Sequence, residues 1–310
     1  MRQLSRDGST RLFSTTRCGL PTMASSVAYL FGSGWAFFLG AGLVLFAVAL
    51  GTRPWWSRFS ALPAILGSIV AVLSATPLPI WFYIVALSLT VSWLVASRYM
   101  ADRPRWRRHL FSSAVALIWL IAIFVELPYQ FLPHVERVAA RHIDLFGDSI
   151  SAGIGGRDAD RWPNVLGREH RIDIANHASA GATVADMRRR ANTLDLGDDL
   201  VLLEIGGNDV LGTTTPEDFD RDLDALLSRV CDGRRQVLMF ELPLPPMRNQ
   251  FGQVQRHLAS KHRVRLIPKR VLMAVLTAGG ATVDSLHLSQ PGNALMAEVV
   301  WKIIEPAFAE

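Results

Sequence analysis

The sequence predicts a chain in two parts: an α/β domain of three layers on a parallel sheet over residues 142–310, preceded by an all-α transmembrane region of about four helices over 23–128. Three observations predict this. Half of the 310 residues are hydrophobic and only 19% are charged, and the long charge-free runs all fall before about residue 130. From His142 on, short apolar runs of strand length alternate with stretches of helical period, the pattern of a parallel sheet covered on both faces. Charge divides at the same place, with 12 Arg against 4 acids before Val138 and 20 Lys/Arg against 23 acids from Val138 on. The net charge of +5 therefore belongs to the apolar half. It is not the basic face that a nucleic-acid partner would need.

The elements follow in order. Residues 1–22 are polar, with Arg2, Arg6, Arg11 and Arg17 against Asp7. They read either as a stretch upstream of a start at Met23 or as an organelle transit peptide. Apolar spans follow at 27–50, 60–75, 79–97 and 110–127. The first is long enough to cross a bilayer, and its glycines Gly32, Gly34, Gly40 and Gly42 are tolerated in membrane helices. Thr76-Pro77-Leu78-Pro79 turns the second span into the third. Trp55, Trp56, Trp81, Tyr83, Tyr99 and Trp106 lie at span ends, where amphipathic rings favour the headgroup region.

The loops orient these spans. Arg53 and Arg58 lie in the first loop, and Arg98, Arg103, Arg105, Arg107 and Arg108 in the third, so the positive-inside rule makes that side cytoplasmic. The N-terminus and the 142–310 domain then lie outside, in the periplasm if the membrane is a bacterial inner membrane. A short linker, 129–141, keeps the domain near lipid, with Tyr129, Phe131 and Val135 expected at the bilayer surface.

In the domain, strands are predicted at 143–146, 172–175, 200–205, 237–240 and 264–267. The clearest helix is 216–230, where Phe219, Leu223, Leu226, Leu227 and Val230 recur at a spacing of three to four, with acids early and Arg229 late. A closing helix is predicted over 290–308. Cys18 and Cys231 form no disulfide framework, and no Cys/His cluster has zinc spacing. No metal or organic cofactor is implied, and no glycine-rich phosphate loop is present.

Four loops carry the chemistry. Gly147-Asp148-Ser149 follows the first strand, Ser179-Ala180-Gly181 lies after the second, and Gly206-Gly207-Asn208-Asp209 follows the third. Asp284-Ser285-Leu286-His287 precedes the last helix. Strand C-termini share one edge of a parallel sheet, so these loops can converge there. A serine nucleophile needs a base, for which His287 is the natural candidate, and Asp284 three residues earlier can hold its tautomer. Glycine turns expose backbone N–H groups and Asn208 offers an amide for a developing oxyanion. Gly-Asp-Ser alone also occurs in ordinary turns. The other histidines, His142, His170, His177, His257 and His262, lack a matching partner in sequence. Arg188-Arg189-Arg190 reads as a solvated helix face, and Leu242-Pro243-Leu244-Pro245-Pro246 as a stiff connector or a pocket wall.

Taken together, the four blocks resemble, in order and spacing, those of the SGNH/GDSL hydrolases, nearest the bacterial thioesterase/lysophospholipase-like branch. The resemblance covers about 143–304 and none of the apolar half. Ile150 stands where leucine is commoner, and Leu288 where proline is common. The resemblance implies Ser149 as nucleophile, His287 as base and Asp284 as its orienting acid. It implies the Ser149 and Gly181 amides and the Asn208 side chain as the oxyanion hole. The expected activity is a membrane-anchored serine esterase acting on lipid acyl or glycan O-acetyl esters. The alternatives are an acyltransferase using the same site, or a domain that binds such esters without turning them over. Expected partners are the ester substrate and membrane lipids; the sequence identifies no protein partner.

Overall fold

A computed structural model describes residues 22–309 apart from 54, 100–104, 155–157, 198 and 233. The expectations for Arg2, Arg6, Asp7, Arg11, Arg17, Cys18 and Arg103 lie outside the described residues, as do those for the side chains of Tyr99, Arg105, Arg107 and Arg108. The apolar half forms five helices: α1 (Met23–Gly32), α2 (Trp35–Gly51), α3 (Ala61–Leu73), α4 (Ile80–Tyr99) and α5 (Arg105–Glu126).

Among the described residues, two helical stretches are long and apolar enough to cross a membrane, Ile80–Arg98 and His109–Gln130. The expected first span is not one rod. It breaks between Gly32 and Trp35, and α1 and α2 meet at 80°. Gly34 sits in the break at φ 85°, a left-handed conformation that costs glycine little and ends α1. The expected second span is the shorter apolar helix Ser57–Leu73. At 1.5 Å per residue it reaches about 25 Å, less than a hydrocarbon core of ~30 Å. Among the described residues the apolar half therefore has two helices long enough to cross a membrane, or three if the bent pair counts as one, and not the four expected.

Packing in this half follows small residues. A Cβ at Gly40 would come 2.5 Å from the Gly67 carbonyl oxygen and 2.6 Å from Ala71 N, so α2 and α3 lie backbone to backbone, as glycine allows between membrane helices. Trp93 Nε1 donates to Ser112 Oγ at 3.0 Å and Trp119 Nε1 to Thr90 Oγ1 at 3.1 Å, linking α4 to α5. Trp55, Trp56, Trp81 and Trp106 are exposed at helix ends as expected. Tyr83 is not: it is buried, and its hydroxyl donates to the Thr76 carbonyl.

The second half is built on five strands, β1 (His142–Gly147), β2 (Asp173–Asn176), β3 (Leu200–Glu204), β4 (Gln236–Phe240) and β5 (Arg265–Ile267). Their bounds fall within about one residue of the apolar runs that predict them. They form one all-parallel sheet in the order β2-β1-β3-β4-β5. The winding reverses between β1 and β3, which opens a crevice at their C-terminal ends. Helices follow in chain order: α6 (Ser149–Ala152), α7 (Trp162–His170), α8 (Val184–Ala191), α9 (Gly207–Leu211), α10 (Pro216–Val230), α11 (Asn249–His262), α12 (Lys269–Leu276) and α13 (Gln290–Phe308).

Alternation along the strands makes two cores. Phe146, Val201, Leu203, Val237 and Met239 pack against α8, α10 and α11. Ile143, Leu145, Leu200, Leu202, Leu238 and Phe240 pack against α7, α12 and α13. Val135 joins this second core, 3% exposed, so it is not at the bilayer surface as the linker's apolar residues had implied. α10 begins where its sequence says it should. The Thr215 side chain accepts from Asp218 N, and Pro216 fills the first turn, where a missing N–H costs nothing.

The helical half meets this domain at one place. Arg256 on α11 bonds both Glu126 carboxylate oxygens, at 2.6 and 2.8 Å, and its Nε donates to Glu241 just after β4 at 2.7 Å. Lys269 after β5 lies 3.5 Å from Glu126 and 3.7 Å from Glu241, and donates to the Ala75 carbonyl at 2.6 Å. All four charged groups are buried. The Arg256 guanidinium also lies 3.5 Å from the Tyr129 ring centroid, which accounts for Tyr129 without placing it against lipid. Gln253 donates to the Leu78 carbonyl and Arg270 to the Gln130 carbonyl. The ends of α3 and α5 and the start of α4 are thus fastened to the C-terminal edge of the sheet at β4 and β5.

Candidate active site

Each of the four chemistry-bearing loops leaves the C-terminal edge of the sheet or lies against it. β1 runs as a buried strand up to Gly147, which must be glycine: a Cβ there would come 2.7 Å from the Ser151 side chain and 3.1 Å from the Glu204 carbonyl. Asp148 caps the following turn, its side chain accepting from Ile150 N at 3.0 Å. Ser149 opens that turn, half-buried.

The second loop brings Gly181 to φ 75° with open space beside its Cα. A side chain there would strain the backbone whatever the room. The third loop is hooked to the second: Asn208 Nδ2 donates to the Ala182 carbonyl at 3.0 Å, and Asp209 accepts from Val184 N at 2.9 Å. A Cβ on Gly207 would come 3.1 Å from Asp148 Oδ2, so the third loop also rests on the first. Among the described residues, neither the Ser149 nor the Gly181 amide donates a hydrogen bond, and Asn208 uses one of its two amide hydrogens.

The fourth loop carries a tight pair. Asp284 Oδ2 lies 2.5 Å from His287 Nδ1, while Asp284 Oδ1 accepts from the Leu286 and His287 amides at 3.1 and 2.8 Å. The His287 side-chain bond, followed by those amides, pulls the Asp284 carboxyl down to about 2. With Nδ1 engaged, Nε2 is the ring nitrogen left for proton transfer. The His287 imidazole acts on the Asp148 carboxyl electrostatically, pulling it down against burial. No hydrogen bond joins Ser149 Oγ to His287 among those the described residues form; such contacts often tighten only with substrate present.

Beneath Ser149 lies a feature the sequence did not single out. Glu204, the last residue of β3, is fully buried and accepts from Ser151 Oγ at 2.8 Å. Burial, and then the nearby Asp148 charge, push its carboxyl well above the usual range. Burial pushes Asp148 up to about 6, against the opposing pull of the Ile150 amide and of His287. The signal was present in sequence as an acid closing an otherwise apolar strand run.

Other histidines do have carboxylate partners, contrary to the sequence reading. His177 Nε2 lies 2.8 Å from Asp144, His142 Nδ1 2.9 Å from Asp173, and His262 Nε2 2.6 Å from Asp224. His142 and His262 lie at the other edge of the sheet, and His177, which follows β2 at the edge where Ser149 lies, is engaged with Asp144 of β1. Ser179 gives its amide to the Gly147 carbonyl at 3.2 Å and so braces the first loop. Arg189 is exposed and pairs with Asp186, as on a solvated helix face, whereas Arg188 is half-buried and lies 3.4 Å from the buried Asp222 of α10. Leu242 and Leu244 are buried in the first core, which makes their proline-rich stretch a packed connector. Among the described residues no group of acids, histidines and cysteines is placed to hold a metal ion.

Comparisons with known proteins fall on this half of the chain. The GDSL-like lipase/acylhydrolase family matches residues 145–295. An arylesterase of Vibrio mimicus is 28% identical over 174 residues, covering 52% of this chain and 87% of its own. Esterase TesA of Pseudomonas aeruginosa is 25% identical over 186 residues, covering 55% and 91%. Among solved structures, the psychrotrophic esterase EstA from Pseudoalteromonas superposes with a TM-score of 0.50, covering 55% of this chain and all of its own. At 20% identity that likeness bears on the fold.

Proposed function

From the premise that the C-terminal domain belongs to the SGNH/GDSL serine hydrolases, we propose that it hydrolyses carboxylic esters through an acyl-Ser149 intermediate while held at a membrane by its own N-terminal helices. The observation that carries this reading is the Asp284–His287 pair at the sheet edge where Ser149 sits, beside two uncommitted amides and the Asn208 side chain.

In the acylation step Ser149 Oγ bonds to the ester carbonyl carbon and His287 Nε2 takes its proton. Asp284 stabilises the imidazolium that forms. The oxyanion is received by the Ser149 and Gly181 N–H groups and by Asn208 Nδ2. Collapse breaks the bond to the alcohol oxygen, which leaves with the proton from His287. A water deprotonated by His287 then attacks the acyl-serine, and the carboxylic acid departs as Ser149 regains its proton.

The domain organisation proposed is a polar segment over 1–22, a transmembrane region over 23–128, a linker over 129–141 and the catalytic domain over 142–310. Arg53, Arg58 and Arg98 lie at helix ends away from the domain. They support a cytoplasmic far side and a catalytic domain outside it, periplasmic for a bacterial inner membrane. Substrates are lipid acyl esters or O-acetyl esters of envelope glycans.

The test is labelling of the folded full-length protein by a fluorophosphonate. Wild type is expected to label and Ser149→Ala not to; absence of labelling in folded wild type would overturn the proposal. A C-terminal reporter that is active only in the cytoplasm would overturn the proposed topology.

A further inference from the structure

The exposed large apolar side chains of the α/β half are not scattered. Among the described residues they are Ile154, Leu211, Met247, Val283 and Leu286, between 48% and 78% exposed. Ile154 follows the Ser149 turn and Leu211 ends α9, three residues after Asn208. Met247 lies in the loop after β4, and Val283 and Leu286 flank Asp284 and His287. All five therefore surround the loops of the proposed site. The opposite edge of the sheet is a polar groove whose lining includes Glu136, Arg137, Asp199, Arg234 and Arg265.

The membrane helices fix what faces this rim. They are fastened to the same C-terminal edge, at β4 and β5, by Glu126, Arg256, Glu241 and Lys269. β1 and its serine are two strand spacings from β4, roughly 10 Å. The headgroup level of the bilayer is marked next to this joint. Trp35 and Trp81 stand exposed in the first turns of α2 and α4, and Phe131 is 64% exposed just past the last span. α1, bent 80° from α2, runs across the bundle at this level and packs on α12, where Gly32 abuts Met273. Exposed apolar clusters of this kind on a soluble face mark interaction surfaces, and here the nearest apolar phase is the bilayer itself.

We infer that these five side chains form a lipid-facing rim by which the catalytic edge rests on the bilayer crossed by its own helices. Granting the esterase reading above, the ester that reaches Ser149 is carried by a lipid of that leaflet, not by a soluble glycan. The buried ion pairs hold the serine at headgroup depth, where an acyl ester lies. The rim shelters the start of the acyl chain as it leaves the bilayer.

The rim can be tested without catalysis. Full-length protein with Cys18 and Cys231 replaced by serine is placed in nanodiscs of phosphatidylcholine and phosphatidylglycerol. Bimane is attached at Leu211→Cys, at Met247→Cys or, on the far edge, at Asp195→Cys. Brominated lipid is expected to quench the first two labels at least threefold more than the third; equal quenching at all three overturns the rim.

The substrate assignment has its own readout. The ratio of turnover of a fluorogenic phospholipid in the nanodisc to that of p-nitrophenyl acetate is expected to fall at least tenfold in Leu211→Glu/Met247→Glu. An unchanged ratio overturns the lipid assignment. If wild type turns over neither ester, the esterase reading fails and the lipid assignment with it, while the quenching result still decides the rim.

Discussion

Two clusters of buried charge lie on the same edge of the sheet, and they are built in opposite ways. Where the helices join the domain, Glu126 and Glu241 meet Arg256 and Lys269, so two acids face two bases and every charge has a partner. Under Ser149, Asp148 and Glu204 face each other with no base within ion-pair distance among the described residues. Burial pushes both carboxyls up, with a smaller upward push from the Asp209 charge on Asp148 and from the Asp148 charge on Glu204. The first cluster resembles a structural joint, in which desolvation is offset by pairing. The second keeps buried, unpaired acids in place beside the proposed nucleophile, the kind of arrangement common at functional sites. The difference matches a corner built to hold and, in the proposed reading, a corner built to react.

The largest effects are expected at the reacting corner. Ser149→Ala should lower kcat for ester hydrolysis by about 10⁶-fold, as when a triad nucleophile is removed. Asp284→Asn should cost about 10³–10⁴-fold by freeing the wrong imidazole tautomer. Steady-state rates on a short-chain ester measure both. If either variant stayed within tenfold of wild type, the reacting corner would lose its distinction.

The joint should respond in stability. Arg256→Met leaves Glu126 and Glu241 short of positive charge and should destabilise the full-length protein by about 3–5 kcal/mol, read by thermal unfolding in detergent. Adding Glu241→Gln alone, which leaves Glu126 facing Lys269, should recover much of that loss. Failure to recover would mean that packing around Tyr129, not pairing, holds the joint.

A smaller effect of opposite sign is expected under the serine. An acid whose pKa is raised by folding, as Asp148 is to about 6, binds its proton more tightly when folded. Stability is then greatest below the unfolded value near 4 and is lost as pH rises through about 6. Asp148→Asn should therefore stabilise by about 1–3 kcal/mol at pH 8, and the gap should close by pH 4. Thermal melts of the pair across that range would measure it. Smallest of all, His177→Gln, which breaks the pair with Asp144, should leave kcat/KM within about threefold, since the imidazole is engaged with Asp144 of β1 and with no residue of the proposed site.

The central strands β1, β3 and β4 were legible because each is a short apolar run buried on both faces, as in β3, where all five residues are buried. α10 and α13 were legible to the residue because Thr215-Pro216 and Ser289-Gln290-Pro291 carry their own caps. The site loops were legible as glycine-containing blocks at strand ends. The joint was not, since Glu126 and Arg256 are 130 residues apart, and an acid closing an apolar span reads as a boundary. Nor was the bend at Gly34: glycine inside an apolar run fits a straight membrane helix as well as a broken one. Hydropathy counts length but does not detect a left-handed residue. The rim escaped for a third reason, because single apolar residues in loops stand out only once the loops are known to share an edge.

The covalent intermediate is the point on which the reacting corner depends. Full-length protein would be mixed with a slowly turned-over p-nitrophenyl ester, quenched in acid during the first turnovers and digested for mass spectrometry. The acyl mass is expected on the peptide carrying Ser149, rising with the nitrophenol burst and absent in Ser149→Ala. Sustained turnover with no acylated peptide, or with the acyl group on Ser151 or Ser179, would contradict the assignment of the nucleophile.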